Sequence, residues 1–165
     1  MKKNLIFWCL LGLCACSSKP DPYLLPTDAT QLLAGQDAKT WKIARRFNGK
    51  YRMNMGDCFL SYRQTFSRSG RVQDNNEQYP NCGESLKADW EFAKNEEAQA
   101  YLKLSSPQLP YLMRTEKPYK FFKILHLSEE ELILQYQHQQ YAERRLITDI
   151  YVPEAVNIED RAFHL

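Results

Sequence analysis

The sequence predicts an all-β fold, in which eight antiparallel strands joined up and down close into a barrel with a short helix before the first strand. Three observations carry this. Apolar and polar residues alternate with period two in eight stretches, near residues 40–48, 57–67, 70–76, 86–94, 98–105, 119–127, 131–139 and 144–152. Nearly all the breaks between them are short and polar, so strands adjacent in sequence should pair. Eight such strands leave edges that closure removes, and a barrel of eight holds packed side chains or one small ligand.

The elements follow in order. In DATQLLAG, Asp28 is placed to cap a helix of one or two turns and Gly35 to end it. TWKIARRF sets Trp41, Ile43 and Phe47 on one side, with Arg45 sharing that side and Lys42 and Arg46 opposite. DCFLSYRQTF sets Cys58, Leu60, Tyr62 and Phe66 against Ser61, Arg63 and Thr65. SRSGRV is a turn in which Gly70 can take positive φ. SLKADWEF alternates Leu86, Ala88, Trp90 and Phe92 with Lys87, Asp89 and Glu91. AQAYLKLS, YKFFKILHL, ELILQYQH and RRLITDIYV supply the remaining strands. SEEELILQYQHQQYAERRL is rich in helix formers, yet Leu132, Leu134 and Tyr136 alternate with Ile133 facing away, which favours a strand. The three prolines of SPQLPYLMRTEKP, residues 106–118, forbid a central strand and leave a loop long enough to cover an opening. PEAVNIEDRAFHL, of which residues 154–165 are the extension beyond the barrel, is expected to add a short strand or helix outside the sheet.

The start of the chain reads differently. Lys2 and Lys3 precede an apolar run, Leu5 to Ala15, too short to span a bilayer. This is the pattern of an export signal, residues 1–15. Leu13-Cys14-Ala15-Cys16 resembles the bacterial lipobox. The resemblance implies a diacylglycerol on the Cys16 sulfur, cleavage before Cys16, and acylation of the new amine by a fatty acid such as palmitate. A box ending at Cys14 would put Leu13 where small residues are expected, so Cys16 is favoured; an ordinary secretory signal is the alternative. Ser17, rather than Asp, after the lipidated Cys implies by analogy the outer membrane, on the periplasmic face or the cell surface. Residues 16–27, rich in Pro and Ser, form an extended tether reaching about 30 Å. The barrel then occupies residues 28–153.

Loss of Lys2 and Lys3 brings the 22 basic residues down to level with the 20 acidic ones, a balance that offers no footprint for nucleic acid. Cys9 and Cys14 leave with the signal and Cys16 carries lipid. Cys58 and Cys82 remain, an even pair in an oxidising compartment, and a disulfide between them is expected; two buried free thiols are the alternative. The bridge would contribute about 3 kcal/mol.

LLAGQDAKTWKI resembles the opening of the lipocalin-like lipoproteins of Bacteroidetes, where a short helix and a Gly precede a Lys-x-Trp first strand. Cys58-x-x-x-Tyr62-x-x-x-Phe66-x-x-x-Gly70, Cys82, Trp90-x-Phe92 and FKILHLSEEELILQY are similar to later parts of that family, so that residues 32–152 are covered. Residues 39–41 read Lys-Thr-Trp where lipocalins carry Gly-x-Trp. The resemblance implies a lipocalin or calycin-like barrel.

No nucleophile elbow, phosphate loop or metalloprotease helix occurs, so no catalytic residue or cofactor is nominated. His126 and His138 lie on adjacent expected strands, but the neighbouring Gln137, Gln139 and Gln140 are poor zinc ligands, and no metal is expected there; His164 stands apart. Glu96-Glu97 and Glu129-Glu130-Glu131 fall in turns as solvated charge. Arg45, near a barrel end, is placed to pack over Trp41. Trp41, Phe47, Tyr62, Phe66, Trp90, Phe92, Phe121 and Tyr136 are the candidate barrel lining. In the first functional reading they surround a small apolar or amphipathic ligand in the barrel mouth, Trp41 and Trp90 deep and the 106–118 loop over the entry. In the alternative they fill the barrel solidly, and the chain is a non-enzymatic accessory subunit docking to an envelope protein partner.

Overall fold

The computed structural model describes residues 21–140 and 143–162. The elements run α1 (Ala29–Ala34), β1 (Ala38–Asn48), β2 (Tyr51–Arg52), α2 (Asp57–Ser61), β3 (Arg63–Ser67), β4 (Arg71–Asp74), β5 (Lys87–Lys94), β6 (Ala100–Ser105), α3 (Leu109–Leu112), β7 (Tyr119–Leu127), β8 (Leu132–Gln140) and β9 (Glu143–Pro153). β1 and β3 to β9 pair in sequence order, and β9 returns to β1, which closes an eight-stranded up-and-down antiparallel barrel. β2 is a two-residue tab on the end of β1. The export signal, Cys16, the start of the tether, and His164 lie outside the described residues.

The two ends of the barrel differ because the connections differ. At one end the hairpins are short: residues 68–70, 95–99 and 128–131. At the other the three long connections gather: 49–62, 75–86 and 106–118.

The short-hairpin end is plugged. Helix α1 lies across it, with Leu33 and Ala34 fully buried. Trp41 is completely buried beneath the helix, and its indole Nε1 donates to the Leu33 carbonyl at 2.8 Å. Lys39 sits 4.0 Å over the Trp41 ring and donates to the Leu32 and Glu129 carbonyls, tying the helix to the β7–β8 hairpin. Gly35 ends α1 at φ +67, a conformation that strains any side chain. Asp28 occupies the N-cap position, but its side chain makes no capping bond; the first turn is held by the backbone. Phe66, Trp90 and Phe92 stack edge-on above this floor, centroids 6.1 and 5.4 Å apart, and Trp90 Nε1 donates to the Ser67 carbonyl. The lower half of the barrel is therefore solid.

Three sequence expectations need correction. Residues 57–61 wind into α2 instead of continuing a strand; the Gly56 carbonyl accepts from the Phe59 and Leu60 amides, Ser61 Oγ donates back to Asp57 O, and β3 begins only at Arg63. In β1 the pairing with β9 slips between Ile43 and Arg45, so Ala44 is an extra residue. The bulge reverses the phase of everything after it: Arg46 turns inward, while Arg45 and Phe47 face out. Arg45 is half exposed and pairs with Asp160, and the cation over Trp41 is Lys39. Residues 154–162 form neither strand nor helix; they run back across the bulge, where Arg161 donates to the Ile43 carbonyl and to Leu60 O.

Cys58 and Cys82 are joined in a disulfide spanning 24 positions, tying α2 to the 75–86 connection at the open end. Replacing both with Ala is expected to cost about 3 kcal/mol in equilibrium urea unfolding. An unchanged midpoint would mean that the mouth loops are already ordered in the denatured chain.

Candidate functional site

Between the three long connections the barrel opens into a cavity of about 540 Å³. Its lower walls are apolar: Ile43, Leu102, Leu104, Phe122, Leu134 and Ile147 point inward from five strands. Its rim comes from the loops: Met53 and Phe59 from the first, Cys82 and Glu84 from the second, Leu112 and Met113 from the third. The 106–118 loop thus does reach over the mouth. Its short helix α3 is anchored by Leu109, which is fully buried.

One wall carries a buried charge cluster. Asp149 is wholly inaccessible on β9, in phase with Ile147 and Tyr151. Arg46 grips it with two bonds, Nε to Oδ1 at 2.6 Å and Nη2 to Oδ2 at 2.7 Å. The Tyr136 and Tyr151 hydroxyls donate to the same carboxylate at 3.0 and 3.4 Å. Burial by itself would make the Arg46 guanidinium easier to deprotonate; its bond to Asp149 and the surrounding charges more than reverse this, so it stays charged. Burial, then the Asp149 charge, push both tyrosine hydroxyls well up, so they remain neutral donors. Phe59 of α2 covers the guanidinium at 4.1 Å. The cluster is internally matched.

Other polar groups facing this space differ. Asp74 also lines the cavity; burial pushes its carboxyl up, while the Asn76 amide and the Ser85 and Tyr62 hydroxyls hydrogen-bond to it. Gln64, 5% exposed, also lines the cavity, and its side-chain carboxamide bonds to no described residue. Lys120 is not among the residues lining the cavity; it shares the buried phase of β7 with Phe122 and Ile124 and is 9% exposed. Its Nζ lies 4.8 Å over the Tyr136 ring and 5.7 Å from that of Phe122, with no hydrogen bond or ion pair to a described residue. Burial pulls its pKa down to about 8, which leaves it mostly protonated near neutrality.

Of the eight residues read as barrel lining, the structure brings Tyr62 and Tyr136 to the cavity. Trp41, Phe66, Trp90 and Phe92 form the packed floor below it. Phe47 faces out because of the bulge, and Phe121 lies on the outer wall, 45% exposed, between Tyr101 and Tyr119. The Phe121 error has a plain cause. The doublet Phe121-Phe122 offers an aromatic in either phase, and a lysine in the inward phase made that phase look solvated. His126 sits toward the plugged end, its ring near Tyr23, while His138 stands at the mouth, so the two are far apart along the strands. Among the described residues no three His, Cys, Asp or Glu side chains gather to hold a metal.

Arg46, Asp149, Gln64 and Lys120 were missed in the sequence. A signal existed for three of them: each is polar in the apolar phase of its strand, Gln64 beside Phe66, Lys120 beside Phe122, and Asp149 between Ile147 and Tyr151. Arg46 carried none, because the bulge that turns it inward is not visible in the alternation.

No family model matches the chain, and no curated protein matches it in sequence. Among solved structures the chain is similar to a lipocalin-like protein from Bacteroides uniformis, at 12% identity and a TM-score of 0.46, over 73% of this chain and 97% of that one. It is also similar to an uncharacterized protein from Bacteroides eggerthii, at 8% identity and a TM-score of 0.44, over 70% and 97%. The strand order and closure of this chain, independently of those likenesses, are those of an eight-stranded up-and-down barrel.

Proposed function

We propose that this chain is a binding protein rather than an enzyme, and that it holds a small amphipathic molecule in the mouth of its barrel. The observation that carries this reading is the cavity itself. Its volume of about 540 Å³ lies within the range of small-molecule sites, its walls are apolar, and a few polar side chains converge on it. Gln64, on the cavity wall, retains side-chain hydrogen-bonding capacity that no described residue takes up. A solidly packed barrel would leave no such space.

The same proposal places the barrel on the bacterial outer membrane, moored by the lipid on Cys16 through the Pro-rich tether. Its support is the sequence alone: the basic start, the short apolar run, Leu13-Cys14-Ala15-Cys16 and Ser17. Globomycin, or Cys16→Ser, is expected to block maturation and to move the protein out of the membrane fraction. Unchanged partitioning would remove the anchor from the proposal without touching the cavity.

An accessory role in an envelope complex is the second reading. It is favoured by the outer aromatic strip of Tyr101, Phe121 and Tyr119 on β6 and β7. Native mass spectrometry of the chain purified from its host separates the two. A copurified small molecule is expected; a bare barrel with a stoichiometric protein partner would overturn the binding reading.

A further inference from the structure

The wall formed by β3 and β4 is the polar side of the cavity. In strand order it stands across the ring from β7 and β8. Tyr62, just before β3, and Gln64 line the cavity, whereas Phe66, next in the same phase, belongs to the packed floor. Gln64 is level with Trp41 on β1 and with Asp74 on β4, and Trp41 is itself part of the floor. Gln64 therefore stands at the foot of the cavity, where open space meets solid packing.

Its carboxamide is the group left over there. The residue is 5% exposed, and the side chain bonds to no described residue. Every sealed side-chain nitrogen or oxygen among the described residues has a partner, so the Gln64 carboxamide opens onto the cavity. The polar groups around it are engaged. Asp74 accepts from the Asn76 and Leu86 amides and from the Ser85 and Tyr62 hydroxyls. Asp149 is committed to Arg46 and two tyrosines. Asn76, Glu84 and His138 stand nearer the opening and are partly or fully exposed, so water can serve them.

A free carboxamide presents an acceptor oxygen and a donor NH2 side by side. Once a ligand has displaced the water, leaving both unmatched is costly, and a ligand that answers each with a group of its own avoids that cost. A charged head does not answer them. A carboxylate would face the Asp74 carboxyl on the neighbouring strand, and an ammonium would find one unengaged acceptor for its three protons. Leu104, Phe122 and Leu134 offer an apolar surface to the rest of the molecule.

We propose that the ligand enters polar end first, and that an uncharged group carrying both a donor and an acceptor, a primary amide or a lactam, pairs with the Gln64 carboxamide at the foot of the cavity while its apolar body lies against Leu104, Phe122 and Leu134. This rests on the barrel-mouth reading above and specifies its chemistry. Gln64 is then the residue that sets specificity, because it rejects a molecule of the same shape that lacks the N–H.

The test uses four naphthalene probes of nearly one shape: naphthalene-2-carboxamide, methyl 2-naphthoate, 2-naphthoate and 2-naphthylmethylamine. Each is titrated by calorimetry at pH 7 into the chain from residue 16 carrying Cys16→Ser. The amide is expected to bind about tenfold more tightly than the ester, which has lost the donor. In Gln64→Met, close in shape but without the carboxamide, the amide should fall to the affinity of the ester while the ester binds as before. Gln64→Glu, which keeps the outline and loses the NH2, should weaken the amide as well. Equal binding of amide and ester by the unaltered barrel, or tighter binding of the acid or the amine, would overturn the uncharged donor–acceptor head and leave the cavity reading standing. A preference for the amide that survives in either variant would overturn the seat on Gln64. Binding of none of the four would overturn this proposal, and the barrel-mouth reading would then rest on the copurified molecule alone. The first comparison needs no substitution, so a variant that fails to fold does not rescue the idea.

Discussion

Asp149→Ala is expected to destabilise the barrel by about 3–5 kcal/mol, because it strands the Arg46 guanidinium in a buried site without its counter-charge. The carboxylate is wholly inaccessible and accepts from three residues, so its removal also leaves the Tyr136 and Tyr151 hydroxyls without an acceptor. Against a total stability of about 5–15 kcal/mol for a domain this size, that is a large share. Urea unfolding followed by tryptophan fluorescence measures it directly. The pair Arg46→Met with Asp149→Leu should recover most of the loss, since burying two matched charges is itself costly and an apolar replacement removes that cost. A single variant within about 0.5 kcal/mol of the parent would mean that water reaches the cluster and that the wall of the cavity is not rigid.

Trp41→Ala is expected to cost about 3–5 kcal/mol. The side chain is completely buried and joins three elements: its ring packs in the floor, its Nε1 holds the end of α1, and its face carries Lys39. The consequence should be local as well as global. Amides of α1 are expected to lose hydrogen-exchange protection before those of β5 to β9. Trp41→Phe retains much of the apolar volume but loses the bond to Leu33 O, and a cost of about 1–2 kcal/mol is expected from that bond and the smaller ring. If α1 exchanged no faster in Trp41→Ala than in the parent, the helix would be held by something other than the indole, and Tyr23, bonded to both the amide and carbonyl of Leu127, would be the place to look.

Much of the architecture was legible in the alternation of side chains. Strand β7 falls at residues 119–127 as read, and β5, β6, β8 and β9 within two residues of their expected limits. Period-two patterning reports which face of a strand is buried, and short polar breaks force neighbours to pair, so the up-and-down order and the closure follow from local chemistry. The disulfide was equally legible, because a parity argument over five cysteines depends only on which of them remain in the folded chain.

The site itself was decided by tertiary structure. A single extra residue at Ala44 inverts the phase of β1, brings Arg46 in and turns Arg45 and Phe47 out; alternation carries no mark of a bulge whose inward and outward positions are both arginine. Residues 57–61 alternate well enough for a strand but lie beyond the ladder with β1, so a helix and a disulfide claim them. Asp149 is a charge in the apolar phase of β9, and only the closed barrel shows where it has gone: into a partnership with Arg46. Sequence determines the faces of individual strands, since those are local matters of burial. Which charges meet across the barrel, and which is left without a partner, depends on register around a closed ring, and that exists only when the last strand has met the first.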